Sequence, residues 1–203
     1  MDSASDVEAA AEAIRAGRLA IVPTDTVYGL AASAYAEAPV RRLYRAKGRE
    51  DFQPIALVAS DIEMLLECLP ELRGRAAVIA RALLPGPYTL IVPNPARRYR
   101  WLSGSRPDTI GVRVPSLEGK AADLLSRVGA MAATSANLPG GPDPRTIDDV
   151  PAQIRAAAEA IVDAGPLPGK PSTVIDFTGA EPVVLREGAV PADEALRLVG
   201  PVL

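Results

Sequence analysis

The pattern of apolar and polar residues along the chain predicts helices alternating with short strands. The first helix is predicted at 5–17, where Ser5 and Glu8 have the spacing of a capping box and apolar residues recur at helical intervals. The apolar run at 19–22 follows and is typical of a buried strand. Further helices are predicted at 40–47, after the capping box at 60–63, and at 73–84, 117–128, 148–160 and 191–203. Further strands are predicted at 55–59, 88–92, 109–114, 130–133, 173–176 and 183–185.

Strands interleaved with helices favour an α/β fold built around a substantial sheet. The length of 203 residues suits one domain. Proline and glycine concentrate at 93–107, 139–144 and 165–171, but predicted elements flank each stretch closely, so these are expected to be loops rather than linkers. We therefore expect a single domain over residues 1–203.

The composition of the chain excludes several kinds of catalytic and metal site. The chain has no histidine, which excludes Ser–His and Cys–His catalysis and histidine-based zinc sites. Cys68 is the only cysteine and lies in an apolar helical stretch, where a buried small side chain is the expected role. The acidic N-terminus does not resemble a signal peptide, and no apolar run reaches membrane-spanning length. We expect a soluble, cytoplasmic protein without a membrane partner.

The segment Pro23 to Leu30, PTDTVYGL, places polar side chains directly behind the first predicted strand. Ligands of open α/β sheets bind at the carboxyl ends of strands, so Thr24, Asp25 and Thr26 are candidates for a binding site. Proline, aspartate and glycine are also ordinary turn residues, and a solvated turn is an equally good interpretation of this segment alone.

Cationic residues near the end of the second predicted helix suggest a further binding site. The net charge of −3 favours neither nucleic acid nor an anionic membrane, so any basic binding surface has to be local. Arg41, Arg42 and Arg45 fit a solvated helix face, whereas Lys47 and Arg49 fall where the helix ends, and such a pair suits a polyphosphate.

Arg113 and the segment 133–137 carry polar groups on or beside predicted strands. Thr109, Gly111 and Arg113 share one face of their strand because side chains alternate. A charge inside a sheet needs a partner, which is either a protein carboxylate or a ligand carboxylate. The segment 133–137, ATSAN, ends a strand in hydroxyl and amide groups, and it also fits a capped turn.

Several of these segments, taken in order, resemble the YrdC/YciO family. They run from residue 23 to 190: PTDTVYGL (23–30), the Lys47 and Arg49 pair in RAKGRE, LLPGPYTLIV (83–92), TIGVRVPS (109–116), TSAN (134–137), PSTVID (171–176) and VVLREGAV (183–190). The resemblance implies the single-domain form of that family. Its fold is a twisted, mostly mixed β-sheet flanked by helices, with a large central cavity.

The best-known members of that family are threonylcarbamoyl-adenylate synthases. The resemblance therefore implies a nucleotidyltransferase that condenses L-threonine, bicarbonate and ATP into threonylcarbamoyl-AMP and pyrophosphate, for the threonylcarbamoyladenosine at position 37 of certain tRNAs. This chemistry calls for positioning and charge neutralisation rather than a covalent nucleophile, which agrees with a chain that lacks histidine.

The resemblance also implies roles for individual residues. Lys47 and Arg49 would hold the triphosphate as the catalytic pair. The remaining ATP-binding residues would be Gln53, Thr109, Ser135, Asn137, Arg145 and Arg186. The threonine-binding residues would be Thr26, Arg113, Ala133 and Ser172. Mg²⁺ is expected with ATP, but no protein metal site is predicted, and Asp25 receives no role.

Departures from the family pattern keep other interpretations open. Glu50 stands where proline is usual, Gln53 replaces a lysine or asparagine of some relatives, Val58 stands where certain members have histidine, and Pro139 replaces a hydroxyl-bearing residue. One alternative is a YciO-like paralogue with weak or no synthase activity. Another is an RNA-binding protein that contacts tRNA or double-stranded RNA through 41–49 and Arg97, Arg98 and Arg100, with steep salt dependence. A third is a carbamoyl-transfer accessory domain. A tRNA-modifying protein complex is a possible partner.

Overall fold

The structure is a computed structural model that describes residues 3–48 and 53–202. Its α-helices are α1 (Ser3–Arg15), α2 (Glu37–Lys47), α3 (Ile62–Cys68), α4 (Gly74–Leu83), α5 (Gly119–Val128), α6 (Ala152–Ala157) and α7 (Ala192–Val199). Short 3₁₀ turns cover Arg100–Leu102 and Gly200–Val202. The strands are β1 (Ala20–Val22), β2 (Gly29–Ser33), β3 (Ala56–Ala59), β4 (Tyr88–Pro93), β5 (Thr109–Arg113), β6 (Ala130–Ser135), β7 (Ala160–Ile161), β8 (Thr173–Asp176) and β9 (Val183–Arg186).

All of these strands belong to one mixed sheet. It is nine-stranded in the described part of the chain, in the order β7-β1-β2-β6-β3-β5-β4-β8-β9. The pairs β1–β7, β3–β5 and β4–β8 are parallel, and the other neighbours are antiparallel. The mixed sheet with flanking helices confirms the predicted fold class.

The two faces of the sheet are covered unequally. On one face, α2, α3, α4 and α7 contact β2, β3, β4 and β8 respectively, and they enclose the larger core cluster, which includes Leu30, Leu57, Leu90 and Val112. On the other face, α1 contacts β1, β2 and β7, and α5 contacts β6. The smaller core cluster lies mainly under α1 and α5, and much of this face over β3, β5, β4 and β8 stays open for a cavity.

Four sequence predictions need correction. The segment 23–30 does not end a strand at the sheet edge, because 29–33 forms β2, which returns antiparallel to β1. The helix predicted at 148–160 covers only 152–157, since 160–161 pairs with β1. The strand predicted at 130–133 continues to Ser135. The helix after 60–63 is capped by Asp61 rather than Ser60, with Asp61 Oδ1 accepting the Met64 N–H at 2.7 Å.

Among the described residues, no helix combines the length and the hydropathy that a membrane span requires.

Candidate functional site

A cavity of about 250 Å³ lies on the open half of the second sheet face. Its floor is formed by alternate residues of neighbouring strands, which point to one face because strand side chains alternate. These floor residues are Ala56, Val58, Thr89, Ile91, Gly111, Arg113, Ala133 and Ser135. The sequence placed a ligand at the carboxyl ends of the strands. The cavity instead opens on a face of the sheet, because α1 and α5 cover only part of that face.

Small residues give the cavity its depth. Gly111 lies in the middle of β5, and a Cβ atom added there would be 3.3 Å from Ile91 Cδ1 and 3.8 Å from Ala56 Cα. Ala56 and Ala133 line the same floor on the neighbouring strands. The backbone of the central strands is therefore within reach of a ligand, which is a common reason for glycine inside a strand.

The connection between β1 and β2 forms one wall, and a hydroxyl network holds it in shape. Thr24 Oγ1 donates to the Val27 carbonyl at 2.7 Å and accepts the backbone N–H groups of Thr26 and Val27, each at 3.2 Å. The Oγ1 atoms of Thr24 and Thr26 also lie 3.0 Å apart, within hydrogen-bond distance of each other. Thr26 is completely buried, and its position is set by this local turn.

Arg113 reaches from the end of β5 to the same wall. Its Nη2 donates to Thr26 Oγ1 at 2.8 Å and forms an ion pair with Asp25 Oδ1. The second Asp25 oxygen, Oδ2, accepts the Ser116 N–H at 3.1 Å. Burial lowers the pKa of the Arg113 guanidinium, and Asp25 opposes this effect by favouring the charged form. Of the two kinds of partner expected for Arg113, a protein carboxylate or a ligand carboxylate, the structure shows the first in Asp25, and Arg113 still lines the cavity.

The opposite wall joins β4, β8 and β9. Ser172 is buried, and its Oγ lies 2.8 Å from Thr89 Oγ1. Arg186 donates through Nε and Nη2 to the Ser172 carbonyl at 3.0 and 2.8 Å, and through Nη2 to Ser172 Oγ at 3.1 Å. These contacts fix a second guanidinium beside the cavity. The positive charge of the Arg186 guanidinium suits an anionic group of a ligand.

A polar cluster adjoins the cavity where β6 ends. Lys47 Nζ donates to the Ser135 carbonyl and, at 3.1 Å, to Asn137 Oδ1. Ser135 Oγ donates to the same Asn137 oxygen at 2.7 Å, and Asn137 Nδ2 donates to the Gly141 carbonyl at 2.7 Å. The ammonium group of Lys47 is therefore held at the end of β6, and Lys47 itself is only 3% exposed.

The predicted site residues fall into distinct groups. Thr26, Arg113, Ala133 and Ser172, the predicted threonine residues, all line the cavity, as do Ser135 and Arg186 from the nucleotide set. Lys47 and Asn137 join them through Ser135.

Three other predicted nucleotide residues, Gln53, Thr109 and Arg145, are not among those that line the cavity. Thr109 Oγ1 donates to the Arg106 carbonyl at 3.0 Å. The Gln53 carbonyl accepts the Tyr44 hydroxyl at 2.6 Å. Arg145 is exposed, with Nε 3.3 Å from the Leu167 carbonyl. Arg49 and Glu50 lie outside the described residues.

One functional candidate escaped the sequence analysis, and another was named there without a role. Thr89 was noted only as part of a family segment, although the alternation of 88–92 puts its side chain on the cavity face. Asp25 was left without a role because its partner Arg113 is distant in sequence. Of the departures noted above, Val58 lies in the cavity floor.

Much of the proposed RNA-binding surface is paired within the protein. Arg97 forms an ion pair with Asp108 at 2.7 Å, and Arg98 pairs with Glu71 at 2.8 Å. Arg41 likewise pairs with Glu37 one helical turn away. These cations are neutralised locally rather than gathered around the cavity.

The charges of the cavity suit an anionic ligand. Arg113 and Arg186 both line it, as do the hydroxyl-bearing residues Thr26, Thr89 and Ser172. Within the ranges that the structure describes, His, Cys, Asp and Glu side chains form no group of three or more that could hold a metal ion.

Comparisons with known proteins identify the family of this chain. The Sua5/YciO/YrdC family model, described as telomere recombination, matches residues 12–188. A threonylcarbamoyl-AMP synthase from Pyrococcus abyssi is 37% identical over 197 residues, covering 96% of this chain and 57% of the relative. A putative threonylcarbamoyl-AMP synthase from Mycobacterium tuberculosis is 36% identical over 198 residues, covering 96% of this chain and 89% of the relative.

Solved structures give the same result. P. abyssi Sua5 complexed with L-threonine superposes with a TM-score of 0.88 at 36% identity, over 98% of this chain and 58% of that one. E. coli YciO superposes with a TM-score of 0.79 at 29% identity, over 93% and 91%. The chain spans less than two thirds of the length of the Pyrococcus relatives that it matches. Because the family model covers most of its length, the chain belongs to the Sua5/YciO/YrdC family.

Proposed function

We propose that this protein is an enzyme, an L-threonylcarbamoyl-AMP synthase. It would convert L-threonine, bicarbonate and ATP into threonylcarbamoyl-AMP and pyrophosphate, which is nucleotidyl transfer. The observation that carries the proposal is the convergence of Thr26, Arg113, Ala133 and Ser172 on one cavity that also holds Arg186. Support comes from the family membership and from a relative of 36% identity whose structure is a complex with L-threonine.

Threonine binds against the wall formed by the β1–β2 connection and β5. Its carboxylate pairs with the guanidinium of Arg113, because an arginine fork suits a carboxylate and this one lines the cavity. The Thr26 hydroxyl contacts Thr24 Oγ1 and accepts from Arg113, so one of its three hydrogen-bonding positions is left for the ligand. Ala133 leaves room for the ligand, and Ser172 supplies a hydroxyl on the far wall.

The nucleotide binds on the side of Ser135 and Arg186. Lys47 and Arg186 supply positive charge for the triphosphate, and Ser135 and Asn137 hold the ammonium group of Lys47 in place. Arg49, Gln53, Thr109 and Arg145 remain proposed members of this side of the site. Mg²⁺ would accompany ATP on its phosphate oxygens and neutralise part of their charge.

The chemistry needs no covalent enzyme intermediate. The threonine amine and bicarbonate form an N-carboxylate with loss of water. An oxygen of that carboxylate then attacks the α-phosphorus of ATP, a new P–O bond forms, and the bond to the β-phosphate oxygen breaks, releasing pyrophosphate. The protein contributes by holding the carboxylate and the phosphates together and by stabilising negative charge in the transition state.

An omission experiment tests the proposal. Purified protein with ATP, Mg²⁺, L-threonine and bicarbonate is expected to release pyrophosphate and to form a product with the mass of threonylcarbamoyl-AMP. Omitting any of the three substrates should abolish both signals. Pyrophosphate release that does not depend on threonine would refute the proposal.

The product would then supply the threonylcarbamoyl group for position 37 of tRNA. We propose that a tRNA-modifying complex receives it.

A further inference from the structure

We propose that Asp25 is a positioning residue that holds Arg113 in the orientation that accepts a ligand carboxylate. This inference rests on the proposed function, because the ligand it concerns is L-threonine. Asp25 belongs to the β1–β2 connection, whereas Arg113 ends β5, so the ion pair joins two separate parts of the cavity wall.

Both carboxylate oxygens of Asp25 are engaged. Oδ1 pairs with Nη2 of Arg113, and Oδ2 accepts the Ser116 N–H at 3.1 Å. The Asp25 side chain is only 10% exposed. The carboxylate is thus anchored to the backbone just after β5, and it stays in place when a ligand enters. A carboxylate held by one contact alone would be free to swing away from the guanidinium.

Arg113 depends on this partner. Arg113 is 9% exposed, and within residues 3–48 and 53–202 Asp25 is the sole carboxylate at ion-pair distance from it. Its Nε is buried without a hydrogen-bond partner in that same part of the chain. The neighbouring positive charge of Arg186 further disfavours a charged Arg113. Without Asp25, the guanidinium would face another cation and have no counter-charge from the protein.

The ion pair also orients the group. Nη2 is fixed from two sides, by Asp25 and by Thr26 Oγ1 at 2.8 Å. The plane of the guanidinium is therefore set before a ligand arrives, which reduces the entropy lost on binding. Asp25 should affect the affinity for a carboxylate ligand and leave nucleotide binding nearly unchanged.

The test uses Asp25→Asn, which keeps the shape of the side chain and removes its charge. We expect the threonine KM to rise by about tenfold or more, as for loss of a charged hydrogen bond, while the ATP KM changes by less than about twofold. Asp25→Glu restores the charge and should recover part of the loss. Asp176→Asn is the matched control, because Asp176 is also 10% exposed and pairs with Arg106 at 2.7 Å outside the cavity.

A double-mutant cycle separates positioning from a general structural role. In an Arg113→Gln background, which removes the charge that pairs with Asp25, the Asp25→Asn penalty on the threonine KM should largely disappear, since the two residues act as one unit. An unchanged threonine KM, an equal rise in the ATP KM, or a penalty of the same size in both backgrounds would overturn the inference.

Urea unfolding of the same four proteins distinguishes failure of the proposed function from failure of the Asp25–Arg113 coupling. If the wild-type protein releases no threonine-dependent pyrophosphate, the proposed function fails. Non-additive unfolding midpoints would still support the coupling of Asp25 to Arg113, and additive midpoints would refute it.

Discussion

Replacing Arg113 with lysine tests the threonine side of the cavity. Lysine keeps the positive charge beside Asp25 but lacks the planar fork that lets one group contact Asp25, Thr26 and a ligand carboxylate together. A hydrogen bond to a charged group contributes about 1.5–3 kcal/mol, and about 1.4 kcal/mol corresponds to a factor of ten. Losing one such contact to threonine should therefore raise its KM by about 10- to 150-fold.

The assay is pyrophosphate release with threonine and ATP varied separately. The ATP KM should stay within about twofold of the wild type, because Arg113 lies on the wall where threonine is proposed to bind. Arg106→Lys is the control, since Arg106 pairs with the buried Asp176 at 2.7 Å and lies outside the cavity wall. Equal rises in both KM values, or an unchanged threonine KM, would show that Arg113 does not bind the amino acid.

Two further predictions concern backbone positions. A Cβ atom at Gly188 would collide with the backbone of Pro171 and Ser172, so Gly188→Ala should displace Ser172 and raise the threonine KM, and kinetics equal to wild type would contradict this. Asp61→Ala should cost about 1 kcal/mol in urea unfolding at neutral pH, whereas Ser60→Ala should cost less, because Asp61 is the observed cap of α3. Hydrogen bonding by the N–H groups of α3 lowers the pKa of Asp61. The stability that Asp61 contributes is therefore present above its unfolded pKa and is lost as the pH falls through its folded pKa. A stability difference between Asp61→Ala and the wild type that persists in acid would count against the cap.

Most helices and strands could be predicted because their apolar periodicity is local. Strand β2 could not, since Gly29 to Ser33 consists mostly of small residues with no strong strand preference, and its burial depends on pairing with β1 and β6. The helix at 148–160 was predicted too long for the same reason. Its alanine-rich sequence favours helix, but parallel pairing of Ala160 and Ile161 with β1 outweighs that local preference.

The same distinction between local and long-range information applies to the candidate site. Residues such as Thr26 and Arg113 could be singled out because polar groups beside apolar strands are unusual, and the family resemblance supplied possible roles for them. Their contacts could not be predicted, because Arg113 meets Asp25 and Thr26 only after the sheet brings together segments far apart in sequence. The pairing of Thr89 with Ser172 has the same origin, since parallel pairing of β4 with β8 creates it.

The location of the cavity follows from the helices rather than from the strand ends. An uncovered sheet face normally carries either apolar residues that bind a partner or polar residues that contact water. Here the open half carries small residues, Ala56 and Gly111, around one nearly buried arginine. Small residues lower the floor, and the deeper floor excludes water around the guanidinium, which strengthens its attraction for a carboxylate. The same burial requires a permanent counter-charge when no ligand is bound, and Asp25 supplies it. The ion pair and the binding site are therefore two consequences of one uncovered sheet face.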